Sequence, residues 1–311
     1  MSTVVNVDNF ARAETDRMMA AFSARAGGTN VIFHNRDFPP LDQQTVIREN
    51  RDTLYTAGVV DISQGATLTL PDPGERYLSA MIINRDHYIN HVLHDAGEHP
   101  LTVDRYDTDY VVFAIRILVD PTDQDDLAAV HALQDQIRLD AGAARPFTMP
   151  DYDDTSFTAT RDALLELSKG IPGLAGCFGR RGEVDPVRHL VTTASAWGGL
   201  PETEAFYVNV QPGLPVGEYS LTVRDVPVDA FWSVSLYNPA GFFQANDLNR
   251  YSVNSITATP DDDGTTTVNF GGCDDQRPNC LPIMEGWNYL VRLYRPQPPV
   301  LDGSWTFPTI D

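Results

Sequence analysis

Phe231-Trp232-Ser233-Val234-Ser235-Leu236-Tyr237-Asn238 decides the fold class. Successive side chains of an extended chain point to opposite faces, so Trp232, Val234 and Leu236 share one side and Phe231, Ser233, Ser235 and Tyr237 the other. The first side is fit for a core. The second mixes hydroxyls with aromatic rings, which suits either a ligand cavity or a solvated sheet face. Trp287 to Tyr294 alternates in the same way, with Asn288, Leu290, Arg292 and Tyr294 opposite Trp287, Tyr289, Val291 and Leu293. An arginine in a strand built for burial must find partners, because an isolated buried charge is very costly. Asp52 is a candidate partner, and such a contact would join the two ends of the chain.

Working outward, Tyr77–Asn84, Tyr110–Val119, Phe206–Val210 and Tyr219–Val223 carry the same period of two, with turn signals at Asp72-Pro73-Gly74, Pro212-Gly213 and Asp263-Gly264. Short strands without a helix between each pair argue for antiparallel sandwiches rather than a doubly wound parallel sheet. Helical spacing of apolar residues predicts helices over Asn9–Phe22, Pro121–Leu139 and Ser156–Lys169. The expected fold is mainly β with helical insertions (α+β), in two antiparallel β-sandwich or jelly-roll-like domains. An N-terminal β domain with a leading helix spans 1–119, a helical middle segment 120–199 and a C-terminal β-sandwich 200–311.

The 311 residues are long enough to bury a substantial core without staples. Forty-three acidic residues against 22 basic ones give a net charge of −21, which repels phosphate backbones and anionic lipid, so neither nucleic acid nor membrane is an expected partner. No run of apolar residues is long enough to span a bilayer, and the first residues lack a basic stretch followed by an apolar one, so a cytoplasmic location is expected. Cys273 and Cys280 bracket a short loop and would close a small ring in an oxidising compartment, but free thiols are the expectation in a reducing one. The strong motifs of α/β-hydrolases, dinucleotide binding, P-loops and zinc proteases are missing.

Three polar clusters remain. Arg48-Glu49-Asn50-Arg51-Asp52-Thr53-Leu54-Tyr55 packs two guanidiniums, two carboxylates, an amide and a phenol ahead of an apolar strand. If extended, it projects Arg48, Asn50 and Asp52 from one face. Arg48 is then placed to grip an oxyanion, and Asp52 or Tyr55 to move a proton. A buried structural pair between Asp52 and an arginine is the competing explanation, and on residue types alone the favoured one. Asp86-His87-Tyr88-Ile89-Asn90-His91-Val92-Leu93-His94-Asp95 holds three of the seven histidines, with His99 just beyond. His87 and His91 share a face of a strand and are the pair to consider for a metal. A polar turn and edge strand explains them without one, so no cofactor is expected, and His87 alone as a proton donor is preferred to a metal site. The third cluster is the hydroxyl face of 231–238.

The first cluster resembles the Arg-x-Asn-x-Asp-Thr-Leu-Tyr signature of the domain of unknown function numbered 1254, with Gly74 to Asn84 and Asp86-His87-Tyr88 following on. Phe231 to Tyr237, Arg250-Tyr251-Ser252-Val253, Asn279-Cys280-Leu281-Pro282, Arg292-Leu293-Tyr294-Arg295-Pro296 and Leu301-Asp302-Gly303-Ser304-Trp305 resemble its companion domain, numbered 1214. Cys280 stands where that pattern carries tryptophan. The resemblance implies β-sandwich domains with helical insertions and names no activity.

Three functions follow as expectations. The first is an enzyme with hydrolase or lyase acid–base chemistry, acting on a small, possibly anionic molecule bound between the two β domains. Asp52, Tyr55 and His87 would be its proton carriers, and Arg48, Asn50, Trp232, Ser235, Tyr237 and Arg292 its binding residues. The second is a non-catalytic glycan- or polyol-binding module that uses Trp197, Trp232, Tyr237 and Asn238. The third is a structural protein in which the charged signature acts only as a lock. Homo-oligomerisation is compatible with any of them.

Overall fold

The computed structural model describes residues 2–44, 47–273 and 277–310. The chain forms two compact units. The first gathers Met1–Arg36, Leu54–Leu118 and Asp123–Pro201; the second gathers Asp37–Thr53, Val119–Thr122 and Glu202–Asp311. The expected boundary near residue 119 is therefore crossed twice. The middle segment belongs with the N-terminal strands, and the charged signature through Thr53 belongs with the C-terminal third.

In the first unit, helix α1 (Phe10–Ala26) precedes strands β1 (Phe33–His34), β2 (Thr53–Asp61), β3 (Ala66–Leu70), β4 (Leu78–Asn84), β5 (Ile89–Leu93) and β6 (Gly97–Leu101). A short helix α2 (Val103–Tyr106), strand β7 (Tyr110–Leu118), helix α3 (Gln124–Gln134), strand β8 (Arg138–Ala141) and helices α4 (Asp154–Ser168) and α5 (Pro186–Ser195) follow. The strands make a five-stranded sheet, β1-β2-β7-β4-β5, and a three-stranded sheet, β6-β3-β8. All residues of β4 and β7 are buried, which is why both read as apolar runs. Phe10, Ala13, Leu164, Val191 and Ala194 pack α1, α4 and α5 into a helical layer. The helix expected over Pro121–Leu139 stops at Gln134. Asp123 caps its start, and its last five predicted positions, 135–139, run into β8, which pairs with β3. Helix α5 escaped the sequence analysis, although Asp185 caps it in front of a proline at its first position.

The second unit holds β9 (Ala205–Val210), β10 (Tyr219–Val223), β11 (Trp232–Tyr237), β12 (Ser252–Asn254), β13 (Thr266–Phe270), β14 (Cys280–Leu281), β15 (Asn288–Tyr294) and helix α6 (Pro298–Leu301). A four-stranded antiparallel sheet, β12-β11-β15-β9, faces a three-stranded one, β10-β13-β14, in which β13 and β14 run parallel. Trp232, Val234, Leu236, Val253, Tyr289, Val291 and Leu293 from the first sheet meet Leu221, Val223, Val268, Phe270 and Leu281 from the second in one core. This is the sandwich that the alternation implied. Cys273 and Cys280 are joined in a disulfide rather than left as free thiols. The pairing of β13 with β14 brings the two ends of their loop together. Among the described residues, no helix is long and apolar enough to cross a membrane.

Candidate functional site

Strand register fixes which side chains leave the sandwich core on the far side of the four-stranded sheet. Ser233 lies opposite Arg292 on β15 and Asn254 on β12, Ser235 opposite Leu290 and Ser252, and Tyr237 opposite Asn288. Every residue of β11 and β15 is buried. The hydroxyl face is thus neither solvated nor an open wall. Side chains and carbonyls from residues 48–52 of the same unit hydrogen-bond across it.

Arg292, 3% exposed, organises the contact. Its Nη1 donates to Ser235 Oγ (2.9 Å), and its Nη2 donates to the carbonyls of Arg48 (2.7 Å) and Glu49 (3.2 Å) and to Tyr237 Oη (3.0 Å). Tyr237 Oη in turn donates to the Glu49 carbonyl at 2.7 Å. Asp52, with no exposure, accepts from Ser233 Oγ (2.7 Å) and Asn254 Nδ2 (3.4 Å). Asn50 Oδ1 accepts from the Asp52 backbone, and its Nδ2 donates to Thr53 Oγ1 and to Tyr294 Oη at 3.0 and 3.1 Å. Among the described residues the guanidinium of Arg292 thus bonds hydroxyls and carbonyls, and it acts on Asp52 through its field rather than as a bonded ion pair.

The electrostatics follow from burial. Desolvation raises the Asp52 carboxyl above its ordinary value, against the pull of Arg292 and of the hydrogen bonds it accepts. Burial also raises Tyr237, again opposed by Arg292. For Arg292 itself, burial works to lower the guanidinium, but Tyr237, Tyr294 and Asp52 more than offset it and hold it above its ordinary value.

Two side chains of this segment stay outside the closed network. Arg48 adopts a left-handed backbone conformation (φ 54°), unusual for a residue with a side chain, and its amide donates to the Gly241 carbonyl at 2.8 Å. Its Nη2 donates to Asn288 Oδ1 at 3.2 Å, while its Nε is buried with no hydrogen-bond partner. The neighbouring Glu49 has a buried Oε2 with no partner, and burial raises its carboxyl despite the opposing charge of Arg51. Buried polar atoms without partners are uncommon and call for an explanation, whether strain, a bound water or ion, or a chemical role. Glu49 was not singled out from sequence; nothing in residue type separates it from the solvated carboxylates of so acidic a chain. Arg51, also passed over, lies against the rings of Phe38, Tyr251 and Phe243 at 5.0, 5.3 and 5.7 Å.

The remaining expected site residues have other tasks. Trp232 is in the sandwich core, edge-on to Phe307, because it falls on the inner side of β11; it is a packing residue and not a binding wall. Tyr55 and His87 belong to the first unit. Arg116 donates to Tyr55 Oη at 3.2 Å and lies over its ring. His87 has no exposure and sits in a turn with φ 64°. Its Nε2 accepts from the Gly198 amide (3.0 Å), so its Nδ1 carries the proton toward Thr193 Oγ1 (2.8 Å). Its ring stacks between His189 and Trp197. Burial, with His189 nearby, pushes its imidazole well below the ordinary value. With both nitrogens engaged, His87 is packed in the core of the first unit.

Two family models match the sequence. Residues 29–93 match a protein of unknown function, DUF1254, and residues 213–298 match a protein of unknown function, DUF1214. No curated protein matches. The VPA0106 protein of Vibrio parahaemolyticus superposes with a TM-score of 0.75 at 17% identity, over 98% of this chain and 97% of that one. A putative uncharacterized protein from Burkholderia cenocepacia superposes with a TM-score of 0.55 at 15% identity, over 98% and 86%. Both likenesses are of fold.

Proposed function

We propose that this chain, which combines the DUF1254 and DUF1214 domains, binds a small anionic molecule at Arg48 of its second unit and carries out acid–base chemistry of the hydrolase or lyase type there. The observation that carries this reading is the contrast between a closed network and two open valences. Arg292, Tyr237, Ser235, Ser233 and Asp52 satisfy one another and hold residues 48–52 in place, while Arg48 Nε and Glu49 Oε2 stay buried and unbonded. Backbone strain at a non-glycine residue, as at Arg48, clusters at sites that need a side chain held in one orientation. An arginine so held suits a carboxylate or phosphate, and a carboxyl raised by burial suits proton transfer near neutral pH. Glu49 takes the proton-carrying role first assigned to Asp52, and Asp52 becomes a positioning residue. Against a glycan-stacking module stands the burial of Trp232 and Tyr237, which leaves neither ring a free face.

The test is a panel of small carboxylates, phosphates and their esters, scored by thermal shift and by turnover, on the parent chain and on Arg48→Met and Glu49→Gln. Arg48→Met is expected to abolish the response to the binding anion, and Glu49→Gln to abolish turnover while binding persists. Unchanged responses in both variants overturn the proposal.

A further inference from the structure

A second group of unbonded polar atoms lies in the first unit, in the histidine-rich stretch that the functional reading above left unused. Between β4 and β5 the register slips: Ile82 pairs with His91 and Ile83 with Ile89, so Asn90 is an extra residue. Such a bulge redirects side chains that would otherwise alternate, and bulges are enriched beside functional sites. Here it holds Asn90 and His91 against the end of α2, where Asn90 Nδ2 donates to the Arg105 carbonyl (3.1 Å) and Arg105 Nε donates to His91 Nε2 (3.2 Å). The segment at 179–180 closes the other side. Ile89 donates to the Gly179 carbonyl (2.8 Å), and Arg180 Nε donates to the Asn90 carbonyl (2.9 Å).

Three side-chain atoms in this group are buried without hydrogen-bond partners: His91 Nδ1, Tyr106 Oη and Asn90 Oδ1. Tyr106 has no exposure at all, and its ring meets that of His91 edge-on at 5.4 Å. Because Nε2 of His91 accepts from Arg105, the neutral ring carries its proton on the unbonded Nδ1. Burial, with Arg105 and Arg180 alongside, pushes this imidazole down to about 4, so it is neutral at ordinary pH. Tyr106, pushed up to about 12 by burial, keeps its proton as well. The Arg105 guanidinium lies 5.8 Å from the Tyr106 ring, and Arg180 is exposed at the rim. Two of the three unbonded atoms are neutral donors flanked by two cations, and the component they lack is an acceptor with negative charge; Asn90 Oδ1, itself an acceptor, has no part in holding it.

We infer that the Asn90 bulge, with His91, Tyr106, Arg105 and Arg180, forms a binding site for a small oxyanion, a phosphate or carboxylate group, distinct from the one at Arg48. His91 Nδ1–H and the Tyr106 hydroxyl donate to its oxygens, and the two guanidiniums neutralise it. The site uses hydrogen-bond donors and fixed charge in a half-buried setting, where charge-assisted bonds are stronger than in open water.

Calorimetric titration with inorganic phosphate, and separately with acetate, tests this on the full chain. The parent is expected to give saturable binding of at least one anion, and the stronger of the two identifies the group. Tyr106→Phe removes only an unbonded hydroxyl, so its melting temperature should hold or rise, while affinity falls about tenfold. Arg180→Gln should weaken binding similarly and steepen no melting transition. In an Arg48→Met background a saturable component that Tyr106→Phe weakens should remain, which separates the site from the one in the second unit. Absence of saturable binding by either anion, as expected if water alone fills the space, overturns the inference. So does binding that Tyr106→Phe and Arg180→Gln leave intact.

Discussion

Three arginines of the first unit and Arg292 of the second are held by different chemistry. In the first, Arg85 makes a two-pronged contact with Asp16 (2.8 and 2.8 Å), Arg145 with Asp61 (3.0 and 2.9 Å) and Arg12 with Asp86 (2.7 and 2.7 Å). In the second, Arg292 bonds neutral hydroxyls and main-chain carbonyls. A carboxylate partner cancels charge between two elements; a set of carbonyls fixes the path of a backbone. The first arrangement ties helix, strand and loop together, whereas the second holds a loop so that the side chains of Arg48 and Glu49 stand where they do.

The contrast can be broken most forcefully at Arg85. Arg85→Met strands the fully buried Asp16 carboxylate and should cost about 3–5 kcal/mol in denaturant unfolding. Arg292→Met leaves unbonded carbonyls but no bonded carboxylate, so its cost should be about 1–3 kcal/mol. A larger loss at Arg292 than at Arg85 would show that the neutral acceptors matter more than the ion pair.

Acidification should sharpen the difference. Burial alone would raise Asp61, but its hydrogen bonds from Arg145 and Ser63 hold it well below the usual carboxylate range, and His87 is also depressed. Both groups contribute stability that is present above their unfolded values and lost as pH falls. Asp52 is raised, so its contribution is present at low pH and lost as pH climbs through its folded value. Between pH 7 and 5, protonation of His87 in the unfolded chain alone should destabilise the first unit. Hydrogen exchange should then rise over 84–93 before it rises over 231–237; the reverse order would refute the assignment. The smallest effect belongs to Arg48→Met, expected to change stability by less than about 1 kcal/mol in the same unfolding assay, because that side chain contributes a single long hydrogen bond, to Asn288 at 3.2 Å.

How much of this was legible depended on what alternation records. Trp232, Val234 and Leu236 announced the sandwich core, and the apolar runs 78–84 and 110–118 announced buried strands. The pattern of Ser233, Ser235 and Tyr237 said only that this side was not the core; that residues 48–52 cover it is a long-range contact with no local trace. The same gap hid Glu49, whose distinction is a buried oxygen rather than a residue type. Helix α5 was missed because Thr192 and Thr193 interrupt its apolar spacing, although the Asp185-Pro186 pair was available as a start signal. Arg292 was correctly expected to need partners, and it found dipoles in place of the proposed carboxylate.

The bond between Asp52 and Ser233 spans 181 positions of sequence. On a ribosome adding roughly 5–20 residues each second, residues 37–53 therefore emerge on the order of ten seconds before the strand that receives them exists. During that wait the nascent chain carries a polar, strongly charged stretch that can stay hydrated without harm, whereas an apolar one would invite association with neighbouring chains. Completion of the second unit is in this sense a late event of synthesis, and a chain halted at residue 201 would display its signature segment with no sheet beneath it.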